Sequence, residues 1–185
     1  MIVAADWSGR DPDHRPVLLT DRLRLDLPVR DDAERMARLA GDLDVSRWLA
    51  RVPHPYRLRD AVGFVDILAR QDMVWAIRRR DDERGRLIGT IGLVPLGDDA
   101  AEIGYWLGRP EWGHGYATEA ATAVVRHAFG PMGLSRLVAG AFEGNERSLR
   151  VLEKVGFRRT GASLRHCLAL GRELPHIDVA MAPPG

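Results

Sequence analysis

Residues 110–120 read PEWGHGYATEA. Two glycines, Gly113 and Gly115, flank one histidine, and an alanine-rich run follows at once. A strand ending near Gly108 leads into this loop, and the run beyond it reads as a helix from Tyr116 to about Phe129. The first turn of a helix carries N–H groups with no partner inside the helix, and the dipole adds partial positive charge there. Phosphates bind at such places. Glycine lets a ligand approach the backbone closely and permits turns that other residues resist. The segment therefore fits a phosphate cradle, and equally an ordinary strand-to-helix turn. Two known phosphate loops do not apply. A P-loop needs GxxxxGK[ST], which the chain lacks. A Rossmann fingerprint needs GxGxxG in the first βα turn. Here Thr118 stands at the third glycine, deep in the chain.

The flanking segments give the loop its context. VLLTDRLRLDLP (17–28) alternates like a strand, with Leu19, Leu23, Leu25 and Leu27 on one parity. Asp31 and Asp32 offer an N-cap to AERMARLA, a short helix that stops at Gly41. Residues 42–58 are irregular. A second helix spans about Arg59 to Gln71, with Ala61, Phe64, Val65 and Leu68 as its apolar stripe. MVWAIRR (73–79), RLIGTIGLVPL (86–96) and AEIGYWLG (101–108) are separated by the turn signals DDERG and GDDA, which predicts an antiparallel meander. After the loop and its helix come a strand at 135–142, a helix at 145–155, a strand at 157–164 and a final strand at 174–182. This order combines a meander with a βαβ crossover. The first 15 residues are polar and unpatterned, and read as an extension, 1–16, ahead of a single domain over 17–185.

Composition narrows the class. The chain has 185 residues, one domain's worth, with 45% hydrophobic and 29% charged residues. Its 27 basic and 26 acidic side chains leave a net charge of +1, so no basic excess points to nucleic acid. The N-terminus has no signal-peptide pattern, and no run of about 18 apolar residues predicts a membrane span. Cys167 is the one cysteine, so no internal disulfide forms. The expectation is a cytoplasmic protein, with no nucleic acid or membrane among its partners. The histidines outside the loop, at 14, 54, 127, 166 and 176, show no metal spacing, and no metal is expected.

A second segment sharpens the reading of the loop. NERSLRVLEKVGF (145–157) follows the next strand. Asn145 is a good N-cap, Lys154 suits a last turn and Gly156 suits a helix end. Capping explains each alone, but not the two segments together.

Together, PEWGHGYATEA and NERSLRVLEKVGF resemble the GNAT superfamily of acyl-CoA-dependent N-acetyltransferases. TDRLRL, EIGYWL and the final GF make the chain most similar to the branch holding the Rim-type ribosomal-protein N-terminal acetyltransferases. The resemblance covers about residues 17–182. It implies a mixed α/β fold, with a central, mostly antiparallel, twisted sheet of about seven strands and about four flanking helices. That sheet is splayed between the strands at 101–108 and 135–142. The family's [Q/R]xxGx[G/A] loop falls on Trp112, Gly113, His114, Gly115, Tyr116 and Ala117, and departs at Trp112. The resemblance implies that N–H groups from 113 to 118, Thr118 included, hold the pyrophosphate of acetyl-CoA, the expected cosubstrate.

The resemblance also implies chemistry. The pantetheine arm enters the splay and pairs with backbone of Tyr105 and Leu107, with Gly104 suited to a bulge that opens the gap. A backbone N–H near Leu107 serves as a small oxyanion hole. Many relatives protonate the leaving thiolate with a tyrosine seven residues after the motif asparagine, but here that position is Leu152. Ser148, three residues after Asn145, is the replacement, or else it caps its helix. Glu102 is the candidate base, or else a solvated strand-end carboxylate. Glu119 reads as structural. Trp48, His54 and Tyr56 are expected to line the site of an amine acceptor. The alternative function is a non-catalytic acyl-CoA-binding or regulatory module of the same fold. A homodimer is left open.

Overall fold

A computed structural model describes residues 15–97 and 99–183. The chain forms one eight-stranded sheet with strand order β1-β2-β3-β4-β5-β6-β8-β7. The strands are β1 (Leu18–Leu19), β2 (Leu23–Asp26), β3 (Met73–Arg79), β4 (Leu87–Pro95), β5 (Ala100–Leu107), β6 (Arg136–Phe142), β7 (Arg158–Cys167) and β8 (Arg172–Met181). Every neighbouring pair is antiparallel except β5 and β6. Those two are parallel because the helix α5 (Tyr116–Phe129) crosses between them, as a parallel connection requires.

Two apolar layers cover the sheet. On one face α5 and α6 (Glu146–Val155) pack through Ala120, Ala121, Val124, Ala128 and Leu152 against Leu25, Trp75, Ile91, Ile103 and Leu137. Fully burying one such Leu or Ile contributes about 1.5–3 kcal/mol, so this layer is the larger source of stability. On the other face α1 (Ala33–Ala40) and α3 (Leu58–Gly63) bring Met36 and Ala61 against Ala76, with Trp106 alongside. A short α2 (Leu43–Ser46), capped by the Asp42 carboxylate, interrupts the segment expected to be irregular.

Several local expectations change. The stretch 17–28 is not one strand: Thr20 to Arg22 turn it into the β1–β2 hairpin, so Leu23 and Leu25 are buried while Leu19 faces solvent. Asp32 does not cap α1 with its side chain, because both of its oxygens are held by Arg78 at 2.7 Å inside the protein. The second helix continues from α3 through a π segment, Phe64–Leu68, into α4 (Ala69–Gln71). That wider turn moves its buried stripe to Ala61, Val65 and Ala69 and leaves Leu68 exposed. The ladder between β4 and β5 runs in unbroken register through Gly92 and Gly104, so the bulge expected at Gly104 is absent. Of the expected N-terminal extension only Arg15 and Pro16 fall within the described residues. Arg15 bonds the carbonyls of Val74 and Ala69, and the Pro16 carbonyl accepts from Trp75.

Candidate active site

The gap between β5 and β6 is the feature around which the site is built. Their ladder holds only over Ala100–Glu102 against Arg136–Val138. Beyond it the two strands part, although β5 stays paired with β4 to Leu107. The antiparallel parity then decides which backbone groups face the gap. Gly108 N–H bonds the Ile88 carbonyl, and Leu96 N–H bonds the Ala100 carbonyl. Even-numbered residues of β5 therefore exchange bonds with β4, and the backbone groups of Tyr105 and Leu107 point the other way, into the opening. The Leu107 carbonyl accepts from the Trp112 indole at 2.8 Å, which folds the loop back over the end of the strand.

The loop that follows has the geometry of an anion cradle. Gly113 and Gly115 sit at φ +81 and +80, in the left-handed region that favours glycine. Gly115 is the residue before the first turn of α5, and the Glu119 N–H is the first to bond back, to Gly115. Among the described residues, the N–H groups of 113 through 118 donate to no backbone or side-chain acceptor in the protein. Six consecutive donors at a helix N-terminus suit a group with several negative oxygens.

The loop is braced from behind by residues far away in sequence. Glu119 accepts from the Thr20 hydroxyl at 2.6 Å and from the Arg22 backbone N–H and side chain at 2.9 and 2.7 Å. Those contacts lower the Glu119 carboxyl below its ordinary range against the opposing effect of burial. Arg22 also donates to the His114 carbonyl at 2.9 Å and lies over the Tyr116 ring, on which His114 stacks. This is the structural task of Thr20 and Arg22 in TDRLRL. Arg147 of α6 covers the Trp112 ring from the other side, at 5.2 Å.

Across the gap, Asn145 caps α6 by accepting from the Ser148 N–H at 3.3 Å. The Ser148 hydroxyl does not cap. It lies 2.9 Å from the Tyr105 hydroxyl, which reaches over from β5. Burial pushes that phenol up to about 12, with the Ser148 hydrogen bond pulling slightly the other way. Leu152 is buried in the core, one turn further along α6.

The opposite face of the sheet carries charge. Glu102 pairs with Arg165 of β7. Cys167, at the end of β7, donates to the carbonyl of Arg47, and Leu168 N–H bonds Ala50, so residues 47–50 lie against the hairpin. Trp48 reaches the β6–α6 turn, 3.7 Å from the position a side chain on Gly144 would take. Arg51 meets Asp72 nearby at 3.2 Å, and burial raises the Asp72 carboxyl despite that pairing. On β8 the buried His176 bonds Asp178 at 2.8 Å, and Asp178 also accepts from Ser163.

The structure thus gathers Trp112 to Thr118 and the Tyr105–Leu107 backbone on one flank, and Asn145 and Ser148 across the gap. Glu102 lies on the opposite face of the sheet, and Trp48 lies beside the β6–α6 turn. His54 is exposed. Tyr56 turns into the helical layer, its hydroxyl 3.8 Å from the Met36 sulfur. Sequence reasoning missed Arg165, His176 and Asp178: Arg165 meets Glu102, and Ser163 meets Asp178, only across strands, while His176 and Asp178 lie two apart on one face of β8, so the alternation of that strand was the one available signal. Among the described residues no group of three or more potential ligands could hold a metal ion, and no helix is long and apolar enough to cross a membrane.

The chain is similar to known proteins in sequence and in fold. The family described as "Acetyltransferase (GNAT) domain" matches residues 22–158. The uncharacterized N-acetyltransferase YoaA of Bacillus subtilis is 35% identical over 153 residues, 79% of this chain and 85% of YoaA. The [ribosomal protein uS5]-alanine N-acetyltransferase of Escherichia coli is 25% identical over 160 residues, 85% of this chain and 73% of its own. The microcin C7 self-immunity acetyltransferase MccE, solved with acetyl-CoA and AMP, superposes with a TM-score of 0.75 at 20% identity, covering 94% of this chain and all of that one. This last likeness is one of fold.

Proposed function

The chain belongs to the GNAT family of acetyltransferases, and from that premise we propose that it moves the acetyl group of acetyl-CoA to a primary amine by direct attack. The observation that carries this reading is the row of six unpartnered N–H groups from 113 to 118 beside an open strand edge. The donor set fits a pyrophosphate by number and charge. The Tyr105 and Leu107 backbone fits an amide-bearing arm laid in as an added strand. When bound, acetyl-CoA supplies the activated acyl group. The chain's own residues do the rest.

Residues 113–118 hold the pyrophosphate, with Asn145 completing the cofactor side. Leu107 N–H faces the gap, where it stabilises negative charge on the carbonyl oxygen under attack. Glu102 takes the amine proton, directly or through water, with Arg165 fixing its orientation. Ser148 donates a hydrogen bond to the leaving sulfur. Trp48, with His54 at the rim, borders the acceptor. The charged acceptor face favours a polar amine, such as a peptide N-terminus, over an apolar one, and one relative is named as a [ribosomal protein uS5]-alanine N-acetyltransferase. Cys167 has no cysteine partner in the chain, which suits a reducing, cytoplasmic setting.

An acceptor screen tests the proposal. Purified protein and acetyl-CoA are offered a panel of small amines and peptides differing in their first residue, and thiol release is followed. Saturable release with at least one acceptor is expected. Tight CoA binding with no thiol release across the panel would replace the enzyme by the non-catalytic binding module.

A further inference from the structure

Of the chain's three tyrosines, two are engaged elsewhere. The Tyr56 hydroxyl meets the Met36 sulfur, and the Tyr116 ring is sandwiched by His114 and Arg22. Tyr105 is different. It leaves β5, crosses the gap and places its hydroxyl 2.9 Å from Ser148 Oγ and 3.2 Å from the Ser148 carbonyl oxygen. The site on α6 where the resemblance leads one to expect a tyrosine holds the buried Leu152. A phenol therefore reaches the first turn of α6 from the opposite wall.

We propose that Tyr105 is a positioning residue that orients the Ser148 hydroxyl toward the leaving sulfur, a role that rests on the acetyl-transfer reading above. The geometry restricts the protons. Tyr105 has one, and both acceptors within its reach belong to Ser148. When Tyr105 donates to Ser148 Oγ, the serine proton is left to point elsewhere. A thiolate forming in the gap draws it, and each hydrogen bond in such a chain polarises the next. Ionisation also argues for positioning rather than acid catalysis. Burial holds the phenol near 12, so it stays a donor throughout the working pH range. A thiol titrates at about 8.5, below the raised phenol, so a proton passed from the phenol to a thiolate would run uphill. No proton is handed over within the pair. The thiolate leaves stabilised and is protonated by solvent.

The test reads binding as well as turnover, on wild type, Tyr105→Phe, Ser148→Ala and the double variant. Affinity for CoA is measured against desulfo-CoA from about pH 7 to about pH 9, across the ordinary thiol range. An aligned donor favours the bound thiolate, so wild-type affinity for CoA should rise about tenfold over this range relative to desulfo-CoA, the scale of one hydrogen bond to a charged group. Both single variants should lose that rise. Each should fall at least about tenfold in kcat with acetyl-CoA affinity nearly unchanged. The double variant should be no worse than the poorer single, because the two hydroxyls act as one unit. If Tyr105→Phe melts earlier yet keeps the pH-dependent rise and turnover within about threefold of wild type, the phenol is structural and the proposal is overturned. Additive losses in the double variant overturn it equally. If Ser148→Ala alone loses both, Ser148 acts unaided, and the transfer reading stands without Tyr105. If wild type acetylates no acceptor, it is the transfer reading that fails, and the CoA titrations still decide the role of Tyr105.

Discussion

The two sides of the gap are made of different materials. The proposed cofactor side, from Leu107 to Thr118, is assembled from backbone: two left-handed glycines, six N–H groups and an unpaired strand edge. The opposite face, the proposed acceptor side, is assembled from side chains, most of them paired across the sequence: Glu102 with Arg165, Arg51 with Asp72, and Ser163 with Asp178, which also holds its near neighbour His176. A backbone site is written within a dozen consecutive residues, because it needs only the conformations those residues permit. A side-chain site needs strands that meet only in the folded sheet. Substitutions on the two sides should therefore fail in different ways.

Gly115→Val should separate them most widely. Its φ of +80 is costly for a β-branched residue. About 1–3 kcal/mol of backbone strain, passed to the cradle, would weaken acetyl-CoA binding up to about 100-fold, while the fold persists. Calorimetry with CoA checks it, and unchanged affinity in a folded variant would remove the cradle. Glu102→Gln should act on the other side, cutting kcat by about 100-fold at saturating substrates with acetyl-CoA affinity retained. A rate within about threefold of wild type would pass the proton to water or to another group.

Trp48→Ala sharpens the contrast further. Removing the indole beside the β6–α6 turn should raise the acceptor KM by about tenfold, equivalent to about 1.4 kcal/mol, and leave the acetyl-CoA KM alone. Equal effects on both would mean that the ring serves the turn rather than the acceptor. The smallest effect is expected for Arg147→Ala. It loses one cation–π contact with Trp112, worth about 0.5–1 kcal/mol, so CoA affinity should drop about two- to fivefold. Phosphate contacts by the same guanidinium would show as a larger loss that shrinks at high salt.

The sequence carried the fold and the cofactor side because both are written in short-range signals. β3 and α5 fall on the residues assigned to them in the sequence, 73–79 and 116–129, because the turn signals and glycines that bound them are properties of adjacent positions. Asn145 caps α6 and Gly156 ends it, as their residue types direct. The same signals misled where a local rule met a distant partner. Asp32 looks like a cap, but Arg78 offers its carboxylate a stronger, buried, doubly bonded pairing. Thr20 and Arg22 look like part of a strand, but they turn the chain so that both can hold Glu119, some hundred residues on.

By itself, then, the sequence determined the family, the sheet with its parallel crossover, and the loop whose N–H groups are left without protein partners at the head of α5. Each of these depends on backbone conformation that a few neighbouring residues dictate. Only the tertiary structure decided where β5 and β6 part, because a strand's far edge is defined by what pairs with it. It alone set Arg165 on Glu102, buried His176 against Asp178 and carried the Tyr105 hydroxyl to Ser148. A side chain's partner is fixed by distance in space, and the packing of strands and helices, rather than the order of the chain, brings residues 43 and 63 positions apart within hydrogen-bond reach.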